Sequence, residues 1–139
     1  MLDCLIIGNS IAVGTHQVKT ECVVYAKGGI NSWQWNKKYL DKNPDGFSTE
    51  VAIISLGTND HSGVHTFKEL QLMRRNIDAA RVYWIMPPCN DKFCKKDINE
   101  IVKIIAEANG DIIISTKRVQ QDGVHPSWAG YKELAGQIK

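Results

Sequence analysis

No apolar run in the sequence approaches the roughly 20 residues that a transmembrane helix needs, so no membrane partner is expected. The N-terminus lacks a basic stretch followed by a long apolar one, and no secretory leader is legible. The expectation is a chain that starts at Met1 and is cytoplasmic, or released without a visible signal peptide. Charge of one sign is lacking too. Seventeen basic residues against fifteen acidic ones leave a net charge of +2. The basic residues are scattered, apart from short pairs such as Lys37-Lys38, Arg74-Arg75 and Lys95-Lys96. Nucleic-acid binding needs a clustered basic stripe, so no nucleic-acid partner is expected. The pairs read instead as solvated helix faces. No Gly-rich phosphate loop with its lysine occurs, which excludes a P-loop nucleotide site. Internal repeats, linkers and low-complexity segments are absent as well.

Cysteine is sparse, and the four present do not suggest a disulfide framework. Cys4 and Cys22 lie in strand-like runs and read as small buried hydrophobes. Cys89 and Cys94 flank a loop, Asn90-Asp91-Lys92-Phe93, in a spacing too isolated to specify zinc. A labile loop disulfide is the alternative there. His16, His61 and His65 read as surface or loop histidines rather than a ligand set, so neither metal nor cofactor is expected.

What the sequence does contain is an alternation. At 139 residues, 43% hydrophobic and 23% charged, the chain is expected to form one domain over residues 1–139, large enough to bury its own core. Continuous apolar runs punctuate it: Leu2 and Cys4 to Ile7, Cys22 to Tyr25, Val51 to Leu56, Arg81 to Met86, and Asp111 to Ser115. Runs without polar alternation are strands buried on both faces. Helical patterns lie between them. Ser32 is placed to cap a helix carrying Trp33, Trp35, Tyr39 and Leu40. Thr66-Phe67-Lys68-Glu69 has capping-box form, ahead of a face of Phe67, Leu70, Met73 (or Leu72) and Ile77. Asp97-Ile98-Asn99-Glu100 has a related form, and Ser127 can cap a last helix. The βα alternation predicts an α/β fold, a three-layer α/β/α sandwich. Its sheet is five-stranded, parallel and flavodoxin-like, with order 2-1-3-4-5.

This topology gathers polar residues at one edge. Ligands of open α/β sheets bind just outside the carboxyl ends of the strands. Ser10 follows the first strand, Gly28-Gly29 the second, and Asn59 the third. Asp122-Gly123-Val124-His125-Pro126, after the fifth, can return to the same edge. A lone serine after a strand usually only caps the next helix. Serine hydrolysis, however, needs a hydroxyl, a base within reach, a group that fixes the base, and donors for an oxyanion. Ser10, His125 and Asp122 suit the first three roles. The N–H groups of Ser10 and of one glycine, with the Asn59 amide, suit the last.

The set resembles the SGNH/GDSL hydrolase family over residues 8–126. Gly8-Asn9-Ser10-Ile11 stands for the family's Gly-Asp-Ser-Leu, and Gly57-Thr58-Asn59-Asp60 for Gly-x-Asn-Asp. Asp122-Gly123-Val124-His125-Pro126 stands for Asp-x-x-His-Pro. The resemblance implies an esterase with Ser10 as nucleophile, His125 as base, and Asp122 as its orienting partner. Ser10, Asn59 and Gly29, or its neighbour Gly28, would form the oxyanion hole. Short acyl groups are implied, such as acetyl esters on carbohydrate or cell-wall glycans, with a small-molecule or glycan ester as partner. Trp33, Asp60 and Pro88 are candidate substrate-binding residues. Asp60 is also placed to stabilise the loop after the third strand. Of Trp33 and Trp35, one is expected in the core and the other as a stacking wall. Trp84 and Trp128 are both expected in the core, and the chain is expected to be monomeric by default. Asn9 departs from the family's aspartate, and the short chain implies a shallow cleft without a lid. The alternative is a flavodoxin-like glycan-binding module, or an inactive member that retains binding.

Overall fold

Successive residues of a strand point to opposite faces of its sheet, and here both faces are buried. Leu5, Ile7, Ala52, Ile54, Val82 and Trp84 enter one core. Ile6, Val51, Ile53, Tyr83 and Ile85 enter another. In the computed structural model, which describes residues 3–139, these residues belong to five parallel strands in the order β2-β1-β3-β4-β5. Along the chain the elements are β1 (Cys4–Gly8), α1 (Ser10–Val18), β2 (Val23–Ala26) and α2 (Ser32–Trp35). A π-helical turn (Asn36–Leu40) extends α2, and β3 (Phe47–Ser55) and α3 (Thr66–Arg75) follow. The chain closes with β4 (Ile77–Ile85), α4 (Lys96–Ala108), β5 (Ile112–Ile114) and α5 (Trp128–Gln137). Trp35, Leu70, Met73, Val102 and Ile105 cover the first face. Ile11, Ala12, Tyr131 and Leu134, from α1 and α5, cover the second. The three-layer architecture and strand order are those expected. Leu2, expected to open the first strand, lies outside the described residues.

Several local expectations are corrected. Cys4 and Cys22 are not free thiols: they are joined, with Cα atoms 4.8 Å apart. The register pairs Leu5 with Val23, which sets the preceding residues of the two strands side by side. Cys89 and Cys94 are joined as well. Asn31, not Ser32, caps α2, in a reciprocal box with Gln34. Thr66 and Asp97 are not caps: they lie inside α3 and α4, whose N-cap residues His65 and Lys95 give no side-chain cap bond. Phe67 faces outward and Ile77 begins β4 rather than ending the α3 face, while Glu69 is buried. Trp128 is 54% exposed instead of core. Trp84 is fully buried, as expected. Ser127 does cap α5, accepting from the Gly130 N–H.

One contact below the sheet was not legible at all. Asp111 accepts two bonds from Arg74, at 2.7 and 2.9 Å, and a third from the Trp84 indole at 2.9 Å. It ties α3, β4 and the start of β5 together.

Candidate active site

The first three strands in space end at one level. The register sets Gly8 against Ala26 on one side and against Ser55 on the other. Two bonds lock this edge: the Lys27 N–H donates to the Gly8 carbonyl and the Asn9 N–H to the Ser55 carbonyl, each at 3.0 Å. Gly8 has a φ of 145°, and an added Cβ would lie 1.8 Å from the Ser55 carbonyl oxygen. Only glycine lets β1 turn this close to β3. The turn delivers Ser10 as the first residue of α1.

Asn9 holds that turn. Its side-chain oxygen accepts from the Ile11 N–H at 3.0 Å and from the Ser55 hydroxyl at 3.2 Å. The acceptor work that an aspartate would do is therefore present. The second function of the side chain differs, since the buried Asn9 Nδ2 has no partner among the described residues.

Across the edge, the loop after β5 brings His125 to Ser10. Ser10 Oγ and His125 Nε2 are 2.9 Å apart, and His125 Nδ1 is 2.7 Å from Asp122 Oδ2. The other Asp122 oxygen accepts from the backbone N–H groups of Val124 and His125. The imidazole bond, with these two backbone donors, holds the Asp122 carboxyl down to about 2. An ionised carboxylate can only accept, so Nδ1 carries the imidazole proton and Nε2 is left to accept from the Ser10 hydroxyl. The side chains of His125 and Asp122 are 38% and 46% exposed, so solvent reaches the group.

The oxyanion candidates lie on the loops after β2 and β3. Gly28 is the glycine that faces it: a Cβ there would sit 3.8 Å from the Ser10 Cβ. Gly29 follows in a left-handed conformation. The N–H groups of Ser10, Gly28 and Gly29 have no backbone acceptor among the described residues. Asn59 Nδ2 donates to the Ile30 carbonyl at 3.0 Å, which ties the loop after β3 to the loop after β2. That bond uses one amide hydrogen and leaves the other.

Asp60 lies 1% exposed and accepts from the Ser32 N–H, the Ser32 hydroxyl and the Thr66 hydroxyl. Its carboxylate is spent on protein donors, so its place is in the scaffold of the two loops rather than against a ligand. Trp33 is 49% exposed on α2, while Trp35 is fully buried. Pro88, half-buried, lies beside Ile11, Val124 and Pro126. A depression of about 350 Å³ beside the glycines is lined by Lys27, Gly28, Gly29, Ile30, Gln34 and Lys38. A larger one, about 610 Å³, lies beyond Asp60 against α4 and includes neither Ser10 nor His125.

Three supporting residues escaped sequence reasoning. Ser32 and Thr66 have the sequence setting of helix caps, yet both bond to Asp60. Lys95 reads as half of a solvated pair, yet its ammonium donates to the carbonyls of Thr58 and Asp60 at 2.9 and 2.8 Å. No local pattern marks such contacts. No helix among the described residues is long and apolar enough to cross a membrane. Among the described residues no histidine belongs to a group of three or more candidate metal ligands. The one candidate metal-ligand group among the described residues is Cys4, Glu21 and Cys22, whose two sulfurs are already bonded to each other.

No protein-family model matches the sequence, and no curated protein matches it by sequence comparison. Solved structures do match the fold. A GDSL-like lipase from Bacteroides thetaiotaomicron superposes with a TM-score of 0.68 at 18% identity, over 97% of this chain and 86% of that one. An acetylxylan esterase from Geobacillus stearothermophilus gives 0.62 at 16% identity, over 97% and 91%. The catalytic domain of a peptidoglycan O-acetyltransferase from Streptococcus pneumoniae gives 0.63 at 17% identity, over 96% and 88%. The chain shares its fold with these three proteins.

Proposed function

We propose that this protein is a serine esterase that removes short acyl groups, acetyl above all, from carbohydrate or cell-wall glycan esters. The observation that carries the reading is the unbroken chain Ser10 Oγ, His125 Nε2, His125 Nδ1, Asp122 Oδ2, with separations of 2.9 and 2.7 Å. In this reading Ser10 attacks the ester carbonyl while His125 takes its proton at Nε2. Asp122 fixes the tautomer and stabilises the imidazolium. The N–H groups of Ser10 and Gly29, the latter beside the Gly28 that faces Ser10, and the amide of Asn59 stabilise the oxyanion. His125 then returns the proton to the departing alcohol, and water releases the acid from Ser10. The chemistry requires neither metal nor organic cofactor. The exposure of His125 and Asp122 supports hydrolysis over transfer, because an acyl group on Ser10 stands open to water.

The glycan assignment has two supports. The acetylxylan esterase and the peptidoglycan O-acetyltransferase share the fold. The exposed Trp33 and the depression beside Gly28 offer a stacking face and a polar recess of sugar dimensions. Labelling with a fluorophosphonate probe tests the reading directly. Modification of Ser10, with release of acetate from acetylated glycans, is the expected result. Glycan binding without labelling would instead make the chain a binding module.

Acyl-chain length gives a second test. With aryl esters, kcat/KM should fall once the acyl chain exceeds about four carbons, since the apolar recess between Ile11, Pro88 and Val124 holds only about 10 Å³. A preference for dodecanoyl over acetyl esters would contradict the proposal.

The pH profile gives a third. The Asp122 pKa is lowered to about 2, so the carboxylate stays charged through mildly acidic solution. Its stabilising bonds are fully present above the ordinary carboxylate range and are lost only as the pH falls through about 2. The acid limb of kcat/KM should therefore be first order in protons, because Asp122 does not ionise across it. A limb of second order would show that Asp122 titrates within it.

A further inference from the structure

We propose that the loop closed by the Cys89–Cys94 disulfide is a clamp that positions the active site, with Asn90 as its main contact, and that cleaving this disulfide slows turnover. The inference rests on the reading of Ser10, His125 and Asp122 as the catalytic set.

The loop is internally fixed. The Asn90 N–H donates to the Phe93 carbonyl at 2.8 Å, and the Asn90 Oδ1 accepts from the N–H groups of Lys92 and Phe93. Its outward bonds go to the loop that carries the triad partners of Ser10. Asn90 Nδ2 donates to the Gly123 carbonyl and Lys92 Nζ to the Gln121 carbonyl, both at 2.7 Å. Gly123 and Gln121 flank Asp122. The fit leaves no room for a side chain at Gly123, where a Cβ would lie 2.7 Å from both Asn90 Oδ1 and Lys92 Cβ. The residue after the disulfide reaches the other half of the site. Lys95 Nζ donates to the carbonyls of Thr58 and Asp60, on either side of Asn59.

One short segment thus holds both the base and the oxyanion amide relative to Ser10. Packing does not do this work at the base, because Asp122 and His125 are 46% and 38% exposed. Hydrogen bonds from a rigid neighbour do it instead. The disulfide across the foot of the loop supplies the rigidity, pairing Cys89 with Cys94 where the two also form an antiparallel bridge. A dithiol would reverse it: two electrons and two protons pass to the sulfurs, the S–S bond breaks, two thiols form, and the dithiol becomes a cyclic disulfide. Cys89 is exposed, whereas Cys4 and Cys22 are 8% and 4% exposed, so mild reduction reaches the clamp first.

The experiment combines kinetics with amide hydrogen exchange. Asn90→Asp keeps the acceptor that closes the loop, and in place of the donor to Gly123 it sets a charged oxygen that repels that carbonyl. It should lower kcat about tenfold with KM changed less than twofold, the mark of misplacement rather than lost binding. Mild dithiol treatment of the native protein should do the same, and should speed exchange at the Val124 and His125 N–H groups about tenfold. The double variant Cys89→Ser, Cys94→Ser should already be slow and insensitive to dithiol, while Cys4→Ser, Cys22→Ser should remain sensitive. Should the first double variant fail to fold, the dithiol titration and Asn90→Asp decide alone. Unchanged exchange at Val124 and His125 after Cys89–Cys94 is reduced overturns the clamp, whether or not the protein proves to be an esterase. Absent labelling and turnover in the oxidised protein would instead count against the esterase, and exchange would still decide the clamp.

Discussion

Ser10→Ala is expected to abolish esterase activity, by about 10⁴–10⁶ in kcat, while leaving the melting temperature unchanged or slightly higher. A serine at a strand-to-helix turn ordinarily serves as a helix cap, and its loss then destabilises by about 1 kcal/mol. Here that work belongs to Asn9, whose oxygen receives the Ile11 N–H. The Ser10 hydroxyl bonds instead to His125 Nε2, and Ser10 already lies inside α1, where alanine is the better helix former. Removing Oγ therefore costs the fold nothing and the reaction its nucleophile. His125→Ala should produce a loss of similar size, and the double variant should be scarcely worse than either single one, because the groups act as a unit. Residual activity should reflect only binding and the oxyanion donors. Thermal melts with burst and steady-state kinetics on the three variants check this. Near-wild-type turnover by a well-folded Ser10→Ala protein would sink the mechanism.

How much of this was legible in sequence follows from the range of the interactions. The strands were legible because burial on both faces leaves uninterrupted apolar runs such as Val51 to Leu56, and their order followed from crossover rules. The strand ends drifted where the sequence turned polar outside the core: β3 begins at Phe47 and β4 at Ile77, ahead of the apolar runs that announced them. Cap-like hydroxyls bond elsewhere where a distant acceptor competes for them. Ser32 and Thr66 have cap-like settings, but Asp60 draws both. Trp128 has helical spacing with the α5 core residues, yet it stands in the first turn, on the exposed side.

The motif-bearing residues could be found because each follows a strand, and parallel strands end on a common edge. Their supports could not. Lys95 touches the Asn59 loop and Asn90 the His125 loop across sequence gaps of more than thirty residues, without a signature at either end. The Cys4–Cys22 bond shows the same limit. Each cysteine reads as an ordinary apolar strand residue until the register sets the two side by side.

Asn59 offers the sharpest division between a catalytic and a scaffold role. Its amide has two hydrogens, one of which is given to the Ile30 carbonyl at 3.0 Å. If the other donates to the oxyanion, it acts most strongly on charge that exists only in the transition state. Asn59→Ala should then lower kcat about 10²–10³, the effect of a comparable donor elsewhere, with KM little changed. The scaffold bond alone is worth about 1 kcal/mol of stability, far too little to account for such a loss of rate in a protein assayed well below its melting temperature. Asn59→Asp separates the two roles further. A carboxylate keeps the turn-forming character of asparagine beside Gly57 and Thr58, so at a residue with only a scaffold role it would cost stability through the lost Ile30 bond but little rate. It cannot donate to Ile30 or to an oxyanion, and its charge would repel both oxygens. Asn59→Asp should therefore be no faster than Asn59→Ala. Kinetics and melts on the two variants decide the matter, and an active Asn59→Asp enzyme would remove Asn59 from the oxyanion hole.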